Sequence, residues 1–433
     1  MSLVPGQLIP LLVEKPAAGG RMIARVGGQV VLVSAAIPGE RLTARVERIG
    51  KGVVYAQAMS VEDASADRRE PFADLLCGGC LYAHIAYSRQ LEIKSQIIAD
   101  AFARIGRIVL PGPVPVAASR DDGYRMRARL HVRARRVGFF REGTNEICDA
   151  RATRQLLPET ADALDRVGAA LQSLEVDQVR EIEVSENIDA SERVIHLDAA
   201  APVDQARLAS VGQIAGVTGL TINRFSGGQQ DFSPADTIAG DPRVTDTIEV
   251  AGTHVRLRRH VLTFFQGNRY LIGDLVAHVI GLVEEGGTVV DLYAGAGLWA
   301  VGAALARGAH VTAVEGDRLG AFDLEANAVS ANGGVVAVHQ SVENFTRTAR
   351  IRPDTLILDP PRTGLSREAR DGVAGLGART IIYVSCDVAT LARDSRHLVD
   401  AGYVIRRVDG FDLFPNTPHV ETVVEMKKPG NPG

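Results

Sequence analysis

A glycine-rich loop between an apolar run and a helical stretch carries the first residues whose types and spacing suggest chemistry. In Asp291-Leu292-Tyr293-Ala294-Gly295-Ala296-Gly297 the glycines permit a tight turn and a close approach of the backbone to a ligand. The next strand-like run ends at Glu315, whose carboxylate can accept both hydroxyl hydrogens of a ribose. Gly295-x-Gly297-x-x-Ala300 satisfies the dinucleotide fingerprint. The loop alone fits a nicotinamide dinucleotide and S-adenosylmethionine equally well.

Three further motifs lie at the ends of strand-like runs in the same segment. Asp359-Pro360-Pro361-Arg362 and Ser385-Cys386-Asp387 each follow such a run, and Pro418-His419-Val420-Glu421-Thr422 opens the last one. Open α/β sheets bind ligands beyond the carboxyl ends of their strands, so these side chains should gather around the cofactor. A lone cysteine is usually a buried structural residue. The place of Cys386 at a strand end beside an expected cofactor favours a reactive role instead.

Together these motifs resemble the RNA 5-methyluridine methyltransferase family. The resemblance covers the C-terminal domain through residues 264–268, the glycine loop, and residues 358–365, 385–386, 389–394 and 414–422, and it extends more weakly to the first and middle segments. It implies that the cofactor is S-adenosylmethionine. It also implies an enzyme that acts on structured RNA, ribosomal RNA more than transfer RNA.

Methylation of uracil at C5 needs one nucleophile and one general base. C5 is a poor nucleophile towards a methyl sulfonium, but a thiolate that adds to C6 places electron density on C5. After methyl transfer a base must remove the C5 proton so that the thiol can leave. The resemblance implies that Cys386 is the nucleophile and Glu421 the base. The cofactor-binding positions that it implies are Gln266, Tyr293, Gly295, Gly297, Glu315 and Asp359, with Asp359 also close to the target base.

The residues after Asp359 separate uridine methylation from related chemistries. RNA 5-methylcytidine enzymes carry a nucleophilic cysteine beside the proline, where Pro361 and Arg362 stand here. Amino-directed methyltransferases place an aromatic side chain after the prolines, and Arg362 is not aromatic. Uridine C5 is therefore the better target, and the base must leave its stack, which costs least in a loop or strained RNA.

Two other classes of function fit part of the sequence. A non-catalytic RNA-binding or ribosome-assembly factor on the same fold would bind RNA without transferring a methyl group, and the pair of Cys386 and Glu421 argues against it. A nicotinamide-dependent oxidoreductase would bind dinucleotides, and it leaves Asp359-Pro360-Pro361 and Cys386 unexplained.

Changes in residue pattern divide the 433 residues into three predicted domains, at 1–65, 66–255 and 256–433. In the last, strand-like runs at 288–292, 310–314, 355–358 and 380–384 alternate with helical stretches such as 298–307, which Gly308 should cap. This alternation predicts a Rossmann-like α/β domain of the class I methyltransferase type, with a parallel, doubly wound sheet.

The first segment predicts a small β-barrel. Strand candidates at 30–33, 42–47 and 53–56 are separated by glycine-containing turns. The arrangement resembles a TRAM domain, an OB-like RNA-binding barrel. The alternative is a small barrel without a ligand.

The middle segment predicts a basic α+β domain that binds RNA. A helix is expected over 88–105, with a stop at Gly106. The strand that follows, 124–136, is cationic at alternate positions, namely Arg125, Arg127, Arg129, His131, Arg133 and Arg135. A strand places these on one face, which suits RNA phosphates, although charged edge strands also protect against aggregation. Because the net charge is −4, RNA binding must come from such a local face.

The four cysteines are too few for a disulfide framework, which points to a reducing cytoplasm. Many members of the family hold an iron–sulfur cluster through Cys-x5-Cys-x2-Cys and a later cysteine. Cys77 and Cys80 match the last pair of that pattern, but Pro71 and Thr153 stand at the other positions. Clusters are usually held by four thiolates, so a cluster is possible here but not favoured. Cys148 has no assigned role.

Two positions near the cofactor also depart from the family. Ser341 replaces a more frequent acidic or amide residue, and Leu298 replaces a frequent asparagine. The sequence contains no run of eighteen apolar residues and no signal-peptide core, so no membrane association is expected. A monomer without an obligate protein partner is expected.

Overall fold

The computed structural model describes residues 3–133, 136–226 and 229–429. At the N-terminal end five strands form a closed barrel, and their bounds are β1 Leu8–Pro16, β2 Met22–Val26, β3 Gln29–Ser34, β4 Arg41–Gly50 and β5 Val53–Asp63. The order around the barrel is β1-β2-β3-β5-β4. Alternation in β4 buries Leu42, Ala44 and Val46 and turns the intervening side chains outward. The predicted small barrel is confirmed.

A helical connection follows the barrel. It consists of α1 Tyr87–Ala101, a π-helical turn Phe102–Gly106 and the short strand β6 Val116–Ala117. The predicted helix is confirmed, and it ends where Arg107 takes the left-handed conformation at φ 52°. Ile93, Ile97 and Ile98 on α1 are buried in the same core as the C-terminal sheet. The helix therefore packs on the domain that carries the predicted site.

The middle of the chain forms a seven-stranded sheet with its own core. Its elements are β7 Arg127–Arg133, β8 Arg136–Phe140, β9 Ile147–Asp149, α2 Pro158–Ser173, β10 Val179–Glu186, β11 Arg193–Ala199, α3 Gln205–Leu208, β12 Gly219–Ser226 and β13 Gln229–Gly240. The strand order is β13-β12-β11-β10-β7-β8-β9. A separate hairpin of β14 Arg243–Val250 and β15 Thr253–His260 leads to the last part of the chain. The predicted domain limit at 255 falls inside β15, and the limits stay predictions.

The C-terminal part alternates strands and helices. Its elements are α4 Ile272–Gly281, β16 Thr288–Leu292, α5 Leu298–Arg307, β17 His310–Glu315, α6 Arg318–Ala328, β18 Val335–His339, α7 Val342–Thr348, β19 Thr355–Leu358, α8 Arg367–Leu376, β20 Thr380–Ser385, α9 Val388–Asp400, β21 Val404–Phe411 and β22 Glu421–Lys427. The sheet order is β18-β17-β16-β19-β20-β22-β21-β6. Gly308 caps α5 with φ 60°, as predicted.

The sheet is not parallel throughout, which corrects one expectation. Strands β18 to β20 pair in parallel, but β22 runs antiparallel to both β20 and β21. The cause is the connection from β21 to β22, a loop over residues 412–420 in place of a crossover helix. Within the described ranges, no helix combines the length and apolar character that crossing a membrane requires.

Candidate active site

The ends of five strands bring polar side chains to one edge of the C-terminal sheet. Tyr293 follows β16, Glu315 ends β17, Asp359 follows β19 and Cys386 follows β20. Neighbouring parallel strands end at the same edge, so these four positions lie side by side. Glu421 begins the antiparallel strand β22, so it belongs to that edge as well.

Strand register explains why Cys386 and Glu421 are neighbours. In the antiparallel pairing of β20 with β22, Ser385 stands opposite Thr422. One residue further along each strand, in opposite directions, come Cys386 and Glu421. The pairing thus sets a thiol beside a carboxyl group at the sheet edge.

A cavity of about 730 Å³ opens at this edge. Its lining includes seven of the eight predicted site residues, namely Gln266, Tyr293, Gly295, Glu315, Asp359, Cys386 and Glu421. Gly297 is the exception, since it caps α5 with φ 93° and a Cβ there would lie 2.9 Å from Leu324. The volume lies in the range of roughly 300–1,000 Å³ that small-molecule sites occupy.

One end of the cavity has a rigid backbone. The carboxylate of Glu315 accepts hydrogen bonds from the N–H groups of Gly295 at 2.7 Å and Asp317 at 2.6 Å. Tyr293 holds a left-handed conformation with φ 63°, which non-glycine residues adopt only where the surroundings enforce it. The hydroxyl of Ser341 accepts a hydrogen bond from the N–H of Asn344 and so caps α7. This cap accounts for the serine at that position.

The same end is rich in carboxyl groups, which fits a cofactor that carries a positive sulfonium. Asp291 is fully buried at the end of β16, and burial together with the charges of Asp359 and Glu315 raises its pKa well above the ordinary value. A cation among these groups would relieve their mutual repulsion. The residues present therefore fit S-adenosylmethionine.

Asp359 lies between the cofactor end and Cys386 along the sheet edge. Its Oδ2 accepts hydrogen bonds from Gln266 Nε2 and Trp299 Nε1, each at 3.2 Å. Burial raises the pKa of Asp359 to about 7, and the two hydrogen bonds oppose that rise. Trp299 was not among the predicted site residues, because nothing in the sequence distinguishes a helical tryptophan that binds a carboxylate from a core residue.

Glu421 is buried, with 2% of its surface exposed. Burial raises its pKa well above the ordinary value, the charge of Asp359 raises it further, and the charge of Arg362 opposes both. Two carboxyl groups that line one cavity do not both ionise easily, so ionisation of Asp359 opposes that of Glu421.

The thiol of Cys386 is partly buried between β20 and α9. Burial raises its pKa to about 12, and the negative charges of Glu421 and Asp359 act in the same direction. Arg362 opposes them through its charge and a side-chain hydrogen bond. From the sequence, Arg362 counted only as a non-aromatic residue after the prolines. Its position directly after Asp359-Pro360-Pro361 was the signal that could have placed it in the site.

Helix α1 fixes the loop that leads to Glu421. Lys94 on α1 and Asp412 form an ion pair in which both side chains are fully buried. The side-chain amide of Gln90 donates a hydrogen bond to Asn416 Oδ1, and its Oε1 accepts one from the backbone N–H of Asn416. Breaking one half of a buried ion pair is costly, so this helix supports the position of Glu421.

The opposite wall of the cavity comes from the middle sheet and includes Arg125, Arg127 and Arg129. The predicted strand is present as β7. Its cationic face was expected to be available to RNA, but acidic side chains of the neighbouring strand pair with part of it. Glu183 on β10 pairs with Arg127 at 2.5 Å and with Arg129 at 3.3 Å.

The next position of that face is also paired, since His131 lies 3.1 Å from Glu181. Cross-strand acids thus pair with three positions of the row, because opposite charges stabilise neighbouring strands. Arg133 is exposed and lies over the ring of Phe140. Arg135 lies outside the described residues.

Cys148 on β9 and the two cysteines of the loop before α1 do not fit an iron–sulfur cluster. Cys77 forms a disulfide with Cys148, and the buried Cys80 remains a free thiol. At the position expected for another ligand, the hydroxyl of Thr153 donates to the carbonyl of Ala150. Across the described ranges, no group of three or more His, Cys, Asp or Glu side chains is placed to hold a metal ion. A four-thiolate cluster lacks its ligands here.

We therefore expect the full-length protein purified without oxygen to contain far less than one cluster equivalent of iron and acid-labile sulfide. Colorimetric iron and sulfide analysis with a visible absorption spectrum measures this. Adding dithiothreitol during purification is the control, because it frees Cys77 and Cys148 without supplying a fourth thiol. Four iron atoms per chain after that treatment would contradict the expectation.

The Rossmann-like sheet, its glycine loop and the acidic cavity define a class I methyltransferase, joined to a closed barrel. Two family models match the chain: that for tRNA (Uracil-5-)-methyltransferase over residues 237–429 and that for the TRAM domain over residues 3–59. A 23S rRNA (uracil(1939)-C(5))-methyltransferase RlmD of Halomonas elongata is 31% identical to this chain. The alignment covers 97% of this chain and 89% of that protein. The chain belongs to the RNA uracil-C5 methyltransferase family, as the sequence motifs predicted.

Two further proteins show the extent of the similarity. An uncharacterized RNA methyltransferase of Thermotoga maritima is 29% identical, with 96% of this chain and 98% of that protein covered. The crystal structure of the Pyrococcus abyssi tRNA (uracil-54, C5)-methyltransferase, in complex with S-adenosyl-L-homocysteine, matches with a TM-score of 0.76 at 23% identity. The match covers 96% of this chain and 99% of that one, so the two share their fold over the whole length.

Proposed function

We propose that this protein transfers a methyl group from S-adenosylmethionine to C5 of a uridine in 23S rRNA, through a covalent bond between Cys386 and uracil C6. The observation that carries the proposal is that Cys386 and Glu421, which flank the paired residues Ser385 and Thr422, both line the cavity that also holds the acidic cofactor end. Relatives from Halomonas elongata and Acidithiobacillus ferrooxidans, both named as 23S rRNA methyltransferases, support the choice of RNA.

The proposed reaction assigns each step to a side chain. S-adenosylmethionine, when bound, would supply an electrophilic methyl group, whose bond to the sulfonium sulfur breaks as the bond to C5 forms and leaves S-adenosylhomocysteine. The sulfur of Cys386 forms a bond to C6, and the C5–C6 π electrons move to C5, which forms the new bond to the methyl carbon. Glu421 then takes the C5 proton, the C5–C6 double bond returns, and the C6–S bond breaks to release the thiolate of Cys386. Asp359 is suited to hydrogen-bond the polar edge of the uracil.

The cofactor would be held by the side chains of Gln266, Tyr293, Glu315 and Asp359, with the backbone of Gly295 and Gly297 shaping the loop. A carboxylate at Glu315 can accept both hydroxyl groups of a ribose, as in other Rossmann-like sites. These assignments agree with the acidic character of that end of the cavity.

The barrel and the middle sheet would bind the RNA around the flipped uridine, with the protein acting as a monomer. Strand β4 exposes Arg41, Arg45 and Arg48 on the outer surface of the barrel. The guanidinium of Arg48 lies 3.4 Å from the centre of the Tyr55 ring. Arginine with aromatic side chains is a frequent combination at RNA surfaces.

A methylation assay on defined RNA tests the proposal. RNA from a strain that lacks this protein is incubated with the full-length protein and S-adenosylmethionine labelled in the methyl group, then digested to nucleosides. We expect the label in 5-methyluridine at one position of 23S rRNA. Label in transfer RNA alone would overturn the ribosomal target, and the absence of labelled 5-methyluridine from both RNAs would overturn the activity.

Replacing Glu315 by alanine should weaken cofactor binding about 10- to 100-fold, because a charged hydrogen-bonding group contributes about 1.5–3 kcal/mol and 1.4 kcal/mol is tenfold in affinity. The loss includes the two hydrogen bonds to the loop backbone. Calorimetric titration with S-adenosylmethionine measures the change. The matched control is Glu325→Ala on the exposed face of α6. Equal affinities in the two variants would contradict the assignment.

A further inference from the structure

Arg362 is a cation without an acidic partner in a cavity rich in carboxyl groups. It lines the cavity with Asp359, Cys386 and Glu421. Among the residues that the structure describes, no carboxylate lies within ion-pairing distance of its guanidinium. Arg127 and Arg129 on the opposite wall, by contrast, are both held by Glu183. The charge of Arg362 is therefore not used in holding the fold together.

The backbone of Arg362 is fixed beside the helix that follows Cys386. Its carbonyl accepts a hydrogen bond from the hydroxyl of Thr390 in the first turn of α9 at 3.3 Å. Pro361 and Gly364 close a tight turn around it, with a backbone hydrogen bond of 2.8 Å. Its position relative to the thiol is thus built into the fold.

The guanidinium also faces the reacting groups. Its charge favours the ionised forms of Cys386 and Glu421 and lowers the pKa of His419. Burial lowers the pKa of His419 to about 4, and Arg362 adds to that effect, so the imidazole is neutral. Arg362 is the cation that bears directly on this thiol.

A thiol in this cavity needs such a cation. Only the thiolate attacks carbon, and burial with the charges of Glu421 and Asp359 opposes its formation. Arg362 acts against these effects, because its positive charge lowers the pKa of the Cys386 thiol. An arginine remains charged at any working pH, so its effect does not switch off as the thiol titrates.

We propose that Arg362 is a catalytic residue that donates a hydrogen bond to the Cys386 sulfur and stabilises the attacking thiolate. The inference rests on the proposed covalent mechanism and adds a residue to it. In the step concerned, the thiol proton leaves to water, the sulfur lone pair forms the bond to uracil C6, and the C5–C6 π electrons move onto C5. Arg362 keeps its own protons throughout.

Alkylation of Cys386 in the absence of RNA tests the role of Arg362 directly. The full-length protein and the variant Arg362→Met react with iodoacetamide between pH 7 and 9, and mass spectrometry of the Cys386 peptide gives the rate. We expect the variant to react about tenfold more slowly at each pH, since one pKa unit changes the thiolate fraction tenfold. Arg362→Lys should fall between the two, because it keeps the charge without the planar donor group.

The control is Arg367→Met on the exposed start of α8, which should react like the wild type. Thermal unfolding and S-adenosylmethionine binding check that each variant is folded, and Arg362→Gln replaces the methionine variant if that one is not. Identical alkylation rates in the wild type and a folded neutral variant would overturn the role of Arg362. Because this assay needs no RNA, its outcome is distinguishable from a failure of the proposed methylation.

Discussion

The Cys386→Ala variant should lose methyl transfer to RNA by a factor on the order of 10⁴ or more, as enzymes do when a covalent nucleophile is removed. The reason is chemical, since without the sulfur no bond to C6 forms and C5 stays too weak a nucleophile. Incorporation of labelled methyl groups into RNA under single-turnover conditions measures the loss. Cofactor binding should remain, because the carboxylates and glycines at the other end of the cavity are untouched.

The matched control is Cys80→Ala, the same substitution at the other free cysteine among the described residues. Cys80 lies in the loop before α1 and is buried in the core that packs on the middle sheet, so this variant should keep its activity apart from a modest loss of stability. RNA that contains 5-fluorouridine sharpens the comparison. Its C5 carries fluorine in place of the proton that the base must remove, so the adduct persists. A denaturing gel should show the covalent complex with the wild type and Cys80→Ala. A complex with Cys386→Ala would identify another nucleophile.

The sequence was sufficient to place Tyr293, Asp359 and Cys386 at the cavity because these residues directly follow strands. Strands over 288–292, 355–358 and 380–384 are apolar runs in the sequence. The residues that come soon after them, Tyr293, Asp359 and Cys386, can therefore be assigned to strand ends from the sequence. Parallel strands then require these side chains to share an edge. Local pattern and one topological rule were enough for this part of the site.

The contact between Cys386 and Glu421 could not be derived in the same way. It depends on β22 running antiparallel to β20, with Ser385 opposite Thr422. An apolar run such as β22 has no sequence mark for its direction, and the expected sheet was parallel. Only the family resemblance linked the two residues before the structure did.

The cationic strand shows a different limit of sequence patterns. Alternation correctly predicts that Arg127 and Arg129 share a face, but it does not show what lies opposite. Their partner Glu183 lies more than fifty residues later on β10, which alternates with the same period. Cys77 and Cys148, separated by 71 residues, are another pair joined only by the fold. Long-range partners depend on strand order, which local patterns leave open.

The Glu421→Gln variant should methylate RNA once and then remain attached to it. Glutamine keeps the size and hydrogen-bonding ability of the side chain but cannot take the C5 proton. Cys386 can still add to C6 and C5 can still receive the methyl group, so the adduct forms and is not released. We expect multiple turnover to fall by about 10²–10⁴-fold, the range typical of a general base. Denaturing gels with unmodified RNA and labelled cofactor should show a methylated covalent complex.

The pH dependence separates this base from a structural role for Glu421. A carboxyl group whose pKa is raised acts as a base only in the fraction that is ionised, and that fraction grows as pH rises through the raised pKa. Wild-type release should therefore accelerate with pH, whereas release by Glu421→Gln should stay slow at every pH. Adduct formation should accelerate in both, because the raised pKa of Cys386 controls it. Glu425→Gln on the same strand, where the carboxylate pairs with Lys427, should behave like the wild type. Rapid release from Glu421→Gln would assign the proton to another group. Failure to form any adduct, while the variant is folded and binds the cofactor, would show that Glu421 acts before proton removal.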